Sequence, residues 1–230
     1  MTYKIINNNN NCYLNVILQI FLNSKFTQNL LLNSNYLIIK DNIINPNKIL
    51  NLIKSNININ TQNDAQEAFI YLIDKLSFLN NNCEGKIKSE YMCHNCNKIK
   101  TKFELFTTLI LYEKSMEKSI NKYLKSNTCY INCDICKVSS EITIKYSISK
   151  INNLLIFFNI LKLKIEVIMN INFNNDKYNL IGYIKHFGNF NSGHYIYYDV
   201  INNLEIDDLN IKKFNSHNLN NIYLLIYEKL

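Results

Sequence analysis

The feature that most constrains this chain is a pair of Cys-x-x-Cys segments, Cys93-His-Asn-Cys96 and Cys133-Asp-Ile-Cys136. Two such pairs supply the ligand set of a tetrahedral zinc site with four thiolates. Residues 97–132 separate them, a longer interval than in a compact zinc ribbon, so we expect strands between the pairs. Because four protein ligands leave no open coordination position, the pattern predicts a structural Zn²⁺ rather than a catalytic one.

Cysteine usage and polarity also bear on the compartment. The seven cysteines are an odd number, and the first residues are too polar for a secretory signal. The most apolar stretch, residues 154–169, is interrupted by Asn, Lys and Glu, so no membrane-spanning segment is expected. We therefore expect an intracellular, reducing compartment, the cytoplasm or nucleus, where paired cysteines hold metal more often than they form disulfides. The alternatives are a set of reduced core thiols and a zinc site that has lost its metal in this protein.

Composition places the chain among globular proteins and argues against nucleic acid as a partner. The chain has 230 residues, of which 47% are hydrophobic and 19% charged, enough apolar material for one compact core. The net charge of +7 would suit nucleic acid. However, all the basic residues are scattered lysines, and guanidinium is the preferred group for reading phosphate and guanine. We interpret the charge as a solvated lysine-rich surface.

Apolar periodicity predicts helices in the first part of the chain. Residues 13–22 and residues 62–76 each place apolar side chains on one helix face. Thr61 followed by Asp64 is a variant of the N-terminal capping box for the second helix. Residues 30–60 are expected to form helices and loops.

After Cys83 the pattern changes to alternating or β-branched runs, which indicate strands. Strands are predicted at residues 102–111, 142–148, 154–159, 178–186, 194–200 and 223–227. Helices followed by strands are typical of an α+β domain rather than of βαβ winding.

Residue types suited to nucleophilic catalysis occur in the order Cys, His, Asp. Cys12 opens the first predicted helix, where backbone N–H groups and the helix dipole favour a thiolate and can serve an oxyanion. His194 stands at the entry to a predicted strand behind Gly188 and Gly193, as in loops that deliver an imidazole to a site. Asp207 and Asp208 follow a short apolar run, and a carboxylate there could fix the imidazole tautomer. Taken singly, each residue is more often structural.

Several segments together resemble the ubiquitin-specific protease family of papain-like cysteine peptidases. The similar segments, in chain order, are the cysteine box at residues 7–19 (NNNNNCYLNVILQ), the QxDAxEF segment at 62–69 (QNDAQEAF), the entry to the zinc-binding fingers at 85–106, the histidine box at 178–195, and the closing segments at 206–208 and 221–227. They follow the family's order along nearly the whole chain.

The resemblance implies a compact α+β papain-like fold of thumb, palm and fingers, as a single catalytic domain over residues 1–230. Within it, residues 1–82 would form the helical thumb and residues 83–150 the fingers with the four-cysteine zinc site. Residues 151–230 would form the palm strands that carry the histidine and the aspartate. The family's core is generally longer, so the fingers and palm would be trimmed.

The resemblance also implies an activity, the thiol-dependent hydrolysis of the isopeptide or peptide bond after the C-terminal glycine of ubiquitin. Ubiquitin and ubiquitinated proteins would be the partners. The matching catalytic residues are Cys12 as nucleophile, His194 as base, Asp207 as the partner of the histidine with Asp208 as second choice, and Asn7 as oxyanion donor. The matching substrate-binding residues are Asp64, Glu67, Gly193 and Tyr195. The ligands of a structural Zn²⁺ would be Cys93, Cys96, Cys133 and Cys136. The alternatives are a catalytically weak ubiquitin-binding module and a protease for another ubiquitin-like modifier.

The cysteine box departs from the family pattern at three positions. Asn9 stands in place of the usual Gly, Asn11 in place of Thr, and Val16 in place of Ser. Asparagine tolerates a left-handed backbone better than most residues, so we expect the turn before Cys12 to form.

Overall fold

The computed structural model describes residues 2–8, 10–161, 163–189, 192–215 and 220–230. The helices within them are α1 (Cys12–Asn23), α2 (Gln28–Leu32), α3 (Asn47–Ile53), α4 (Ala65–Lys75), α5 (Asn80–Cys83) and α6 (Met116–Leu124), with a 3-10 turn at Ser77–Leu79. The strands are β1 (Lys4–Ile5), β2 (Ile38–Lys40), β3 (Ile43–Asn45), β4 (Gly85–Cys93), β5 (Ile99–Phe106), β6 (Leu109–Ile110), β7 (Asn127–Asn132), β8 (Ser139–Lys150), β9 (Leu154–Phe158), β10 (Asn170–Phe173), β11 (Asp176–Asn189), β12 (Ser192–Asp199), β13 (Leu204–Asp207), β14 (Asn210–Lys213) and β15 (Ile222–Lys229). Helices therefore dominate the beginning of the chain and strands the remainder, as predicted.

The described strands form three sheets. The central sheet has the order β14-β13-β12-β11-β15-β9-β6, with β10 paired to β11. Its neighbours run antiparallel except for β6, which runs parallel to β9. The small sheet has the order β1-β3-β2, and the third has the order β5-β4-β8-β7. None of the described helices has the length and apolar character needed to cross a membrane.

Helix α1 is buried against the central sheet, which fixes the end of the helix that carries Cys12. Every residue from Cys12 to Leu22 is buried, and the helix packs against α4, β11 and β12. Phe21 stacks on Phe69 of α4, with ring centroids 5.8 Å apart. Each fully buried Leu, Ile or Phe side chain contributes roughly 1.5–3 kcal/mol to folding. The packing therefore holds α1 firmly beside β12, the strand that carries His194.

Helix α4 begins at Ala65, later than the periodicity predicted. Its N-cap is Asp64, whose carboxylate accepts the backbone N–H groups of Gln66 and Glu67 at 2.7 and 3.1 Å. The hydroxyl of Thr61 instead donates to a backbone carbonyl in the preceding turn, 3.0 Å away. The prediction of a capping box that starts at Thr61 was therefore wrong, because Asp64 itself meets the first free N–H groups of the helix.

Other elements also differ from the sequence prediction. Residues 30–60 contain the short strands β2 and β3 as well as helices. The strand predicted at residues 102–111 is interrupted between β5 and β6, and helix α6 was not anticipated. Apolar Ile and polar Asn are so frequent here that helical and strand periodicities overlap.

The third sheet has little apolar packing of its own. Every residue of β5 is at least partly exposed. The buried hydrophobic cluster at the far end of the sheet consists of Cys93, Cys133 and Ile142. A sheet with so small a core needs a further source of stability.

Candidate active site and metal centre

Cys12 lies at the start of α1 and is 3% exposed. The first N–H groups of a helix have no partner within the helix, so they are available beside the thiol. Asn10 takes the left-handed backbone conformation, with φ of 58°. The tolerance of asparagine for this conformation was predicted to matter at Asn9, which lies outside the described residues.

His194 and Asp207 meet although they lie on different strands. Nε2 of His194 is 2.6 Å from Oδ1 of Asp207. The nearest register pair of β12 and β13 is Tyr197 opposite Ile206, so the carboxylate reaches the imidazole diagonally from the end of β13. Both side chains are partly exposed. The predicted base and its predicted partner are therefore adjacent.

The pKa of His194 is raised to about 9. Interaction with the thiol of Cys12 is the largest cause; burial opposes it, and the carboxylate of Asp207 raises the pKa further. Because Nε2 is engaged by the carboxylate, Nδ1 is the ring nitrogen left for the thiol. At neutral pH the arrangement places a protonated imidazole beside the sulfur.

Asp208 anchors the loop before Cys12. Its Oδ2 accepts from Nδ2 of Asn7 at 2.7 Å, and its Oδ1 accepts from Nδ2 of Asn15 at 2.6 Å. The side-chain oxygen of Asn7 in turn accepts the backbone N–H of Asn11 at 3.0 Å. Both the nitrogen and the oxygen of the side-chain amide of Asn7 are therefore hydrogen-bonded. Sequence analysis considered Asp208 only as a partner for the histidine and did not foresee this contact.

Gly193 is enclosed on two sides. A Cβ at this position would lie 2.0 Å from Nε2 of His186, so a larger residue would displace that ring. The N–H of Gly193 donates to Oε1 of Gln62 at 2.8 Å, and Nε2 of Gln62 donates to the carbonyl of Gly193. Gln62 was part of a matching segment in the sequence, but no role had been assigned to it.

The other residues predicted to bind substrate differ in exposure. Glu67 is exposed on the first turn of α4 and accepts the hydroxyl of Tyr71 at 2.9 Å. Asp64 is half-buried and accepts the hydroxyl of Tyr223. Tyr195 is 4% exposed, and its ring lies edge-on to Tyr223 with centroids 5.3 Å apart. The expected direct contact between Tyr195 and a substrate does not fit this burial, because the ring is covered and supports the site from within.

The four cysteines of the Cys-x-x-Cys pairs meet at the end of the third sheet. Their sulfur atoms all lie within 4.8 Å of one another. The Sγ atoms of Cys93 and Cys136 are 4.0 Å apart, and those of Cys96 and Cys133 are 3.9 Å apart. A tetrahedron with Zn–S bonds of about 2.3 Å has S···S edges of about 3.8 Å. The donor set therefore fits Zn²⁺.

The two Cys-x-x-Cys pairs are held by equivalent turns. Asn97 and Lys137 each follow the second cysteine of a pair and have φ of 55° and 60°. Each donates its N–H to the carbonyl of the first cysteine at 2.9 Å. One turn joins β4 to β5 and the other joins β7 to β8. A metal bound here would link two hairpins of the third sheet.

The chain is similar to known proteins along almost its whole length. A family model described as ubiquitin carboxyl-terminal hydrolase matches residues 3–227. A solved structure of the SAGA DUB module Ubp8/Sgf11/Sus1/Sgf73 bound to monoubiquitin superposes with a TM-score of 0.80 at 18% identity, covering 99% of this chain and 69% of that chain. A structure of the SAGA Ubp8/Sgf11/Sus1/Sgf73 DUB module bound to ubiquitin aldehyde superposes with a TM-score of 0.78 at 17% identity, covering 99% of this chain and 69% of that chain. A structure of the yeast SAGA DUBm with an Sgf73 mutant superposes with a TM-score of 0.76 at 18% identity, covering 99% of this chain and 68% of that chain. These likenesses confirm the papain-like α+β fold.

Proposed function

This chain belongs to the ubiquitin carboxyl-terminal hydrolase family, and we propose that it is a deubiquitinase of the cysteine-peptidase type. The observation that carries the proposal is the alignment of Cys12, His194 and Asp207, with Nε2 of the imidazole 2.6 Å from the carboxylate. Such an alignment of nucleophile, base and orienting group is the general requirement for covalent catalysis by a thiol. Ubiquitin is the proposed partner, since two similar structures carry ubiquitin or its aldehyde.

The first chemical step is attack on the carbonyl carbon of the terminal glycine of ubiquitin. Transfer of the thiol proton of Cys12 to Nδ1 of His194 gives a thiolate–imidazolium pair, and the thiolate of this pair forms the bond to carbon. The imidazolium that results is stabilised by the carboxylate of Asp207.

The negative charge that develops on the carbonyl oxygen needs hydrogen-bond donors. The backbone N–H of Cys12 is one candidate, at the helix start. Asn7 is the other: an amide nitrogen carries two hydrogens, and the one not donated to Asp208 is available to the oxyanion. Loss of one such donor typically costs on the order of 10²–10³ in rate.

Collapse of the tetrahedral intermediate completes the cycle. His194 returns its proton to the departing lysine amine, which leaves a thioester between Cys12 and ubiquitin. His194 then removes a proton from water, which hydrolyses the thioester and releases the ubiquitin carboxylate and the free thiol. The carboxylates of Asp64 and Glu67 would hold the arginines of the ubiquitin tail.

We propose Zn²⁺ as a structural cofactor held by Cys93, Cys96, Cys133 and Cys136. When bound, the ion supplies a rigid link between two hairpins and takes no part in the chemistry, because all four coordination positions are filled by thiolates. Unmodified thiols at the nucleophile and at the zinc ligands suit a reducing compartment.

The test is a ubiquitin probe with a thiol-reactive group at its C-terminus, incubated with the wild-type protein, Cys12→Ala and Cys129→Ala. We expect the mass of the wild type to rise by one ubiquitin, and Cys12→Ala to remain unmodified. Cys129, a partly exposed thiol on β7, serves as the control, and its variant should react like the wild type.

Absence of an adduct from folded, zinc-loaded wild type would contradict the proposal. Ubiquitin binding without an adduct would then indicate a binding module. An adduct formed only with the probe of another ubiquitin-like protein would indicate a protease for that modifier.

A further inference from the structure

The edge of β12 just before His194 is paired by a side chain instead of a strand. In the described register, β13 pairs with β12 at residues 197–199, whereas β11 pairs with it from residue 192 to 199. At Gly193 the outward N–H and C=O are instead met by the side-chain amide of Gln62. An amide offers a donor and an acceptor side by side, as a peptide group does, so Gln62 occupies the place of a neighbouring strand.

The same loop touches β12 on the other side of the histidine. The hydroxyl of Tyr195 lies close to the backbone of Ala65, the first residue of α4. Gln62 and Ala65 thus meet β12 at residues 193 and 195, directly before and directly after His194.

Packing on the inner side prevents the strand from adjusting. The ring of His186, on β11, lies where a Cβ of Gly193 would be, and its centroid is 4.4 Å from that of Tyr195. The backbone around His194 is therefore confined by β11 on one edge and by Gln62 on the other.

We propose that Gln62 is a positioning residue, which fixes the peptide of His194 by pairing with the main chain of Gly193. The imidazole then lies between the thiol of Cys12 and the carboxylate of Asp207. Gln62 directly precedes the segment that contains Asp64 and Glu67, the carboxylates proposed to bind the substrate tail. It therefore connects the backbone beside His194 to that binding region. This last link rests on the proposed function, whereas the alignment itself belongs to the free protein.

The alignment has a consequence that can be measured without ubiquitin. The titratable groups around the imidazole are Cys12 from α1 and Asp207 and Asp208 from the end of β13. An imidazole held beside a thiol can accept its proton, and a thiolate is the form that reacts with electrophiles. If the peptide of His194 is released, the imidazole moves away from the sulfur and alkylation slows.

The experiment compares the alkylation rate of Cys12 by iodoacetamide, followed by peptide mass spectrometry, in zinc-loaded wild type and variants at pH 6–8. In Gln62→Ala, which loses both hydrogen bonds, we expect alkylation at pH 7 to slow roughly tenfold, toward the rate of a cysteine with no base beside it. Gln62→Glu keeps the acceptor for the N–H of Gly193 but sets an oxygen against its carbonyl. It should also slow alkylation, and its similar size guards against misfolding in the alanine variant.

The matched control is Gln66→Ala. Gln66 is also half-buried and lies four residues along the same segment, but its amide donates to Thr108 at 3.2 Å instead of to β12. This variant should alkylate at the wild-type rate. Thermal unfolding of all the variants identifies any general loss of folding.

Turnover of a ubiquitin substrate provides the second readout. Misalignment of the base predicts a fall in kcat on the order of 10²-fold for Gln62→Ala, with KM within about twofold. If the wild type does not turn over ubiquitin, the proposed function fails, and the alkylation rates still decide the role of Gln62. Folded Gln62 variants that alkylate at the wild-type rate would overturn the inference, as would a raised KM with unchanged kcat and alkylation.

Discussion

Two neighbouring aspartates hold groups on opposite sides of Cys12, the proposed nucleophile. Asp207 is the last residue of β13 and meets the imidazole of His194, while Asp208 adopts φ of 54° and turns the chain so that its carboxylate accepts from Asn7 and Asn15. One carboxylate thus orients the proposed base, and the other orients the proposed oxyanion donor. The sequence presented them only as alternatives for one role.

The substitution Asp207→Asn should alter the pH profile as well as the rate. The pKa of His194 is raised to about 9, so the imidazolium persists below that pH and is lost above it. Removing the carboxylate charge lowers this pKa, so the alkaline limb of kcat should move to lower pH. We expect kcat at its optimum to fall on the order of 10²–10⁴-fold.

Asp208→Asn is the matched control for this prediction. Asp207 still contacts the imidazole of His194 in this variant, so we expect the alkaline limb of kcat to stay at the same pH. The rate itself should fall, because the side chain of Asn7 loses its carboxylate partner. Profiles of kcat against pH for both variants make the comparison. Equal displacement of the limb in both would show that the two carboxylates act together on the imidazole.

At the scale of elements, the start of α4 combines a structural and a proposed binding role. Asp64 caps the helix through two backbone N–H groups and also accepts the hydroxyl of Tyr223 from β15. Its carboxylate is therefore partly committed to the fold, whereas Glu67 presents an exposed carboxylate one turn further on. Capping and charge at Asp64 can be separated by substitution.

Asp64→Ala should lower the free energy of unfolding by about 1 kcal/mol, because the cap is lost. Asp64→Asn should cost less stability than this, since asparagine caps as well as aspartate, although the amide nitrogen that replaces Oδ2 cannot accept the hydroxyl of Tyr223. Without the carboxylate charge, however, its KM for a ubiquitin substrate should rise about tenfold, the equivalent of 1.4 kcal/mol of binding. Urea denaturation and steady-state kinetics measure the two effects. An unchanged KM in Asp64→Asn would show that the charge of this carboxylate does not contribute to substrate binding.

At the scale of the whole molecule, the central sheet and the third sheet are stabilised differently. The central sheet contributes strands to two large hydrophobic clusters, one with α1 and α4 and the other with Met116 of α6. The third sheet ends in a cluster of two cysteines and Ile142. Its far end would therefore depend on the proposed metal link between its two hairpins, whereas the central sheet would not.

Metal removal should consequently act on one part of the chain. We expect one zinc per chain in the wild type and in Cys129→Ser, and loss of the metal in Cys133→Ser. Binding of structural zinc is worth about 10 kcal/mol or more at pH 7, so residues 85–150 should lose protection from hydrogen exchange without it. The strands of the central sheet should stay protected. A metal-free wild type, or uniform loss of protection along the chain, would contradict this prediction.

The family and the α+β class follow from the amino-acid sequence alone, and the residues suited to the chemistry are predicted from it. The local patterns were the spacing of the zinc ligands, the cysteine at a helix start and the glycines before a histidine. The structure brings together the four cysteines that the first pattern indicated. It also places the thiol, the imidazole and the carboxylate in one region. The division into thumb, fingers and palm at residues 82 and 150 stays a prediction.

Only the tertiary structure decided how these residues are held. Gln62 and Gly193 are 131 residues apart, and Asn15 and Asp208 are 193 apart. Such contacts depend on strand register and on where each paired strand ends, which periodicity along a single segment does not encode. The burial of Tyr195 has the same origin, because the layer that covers its ring comes from elements distant in the chain.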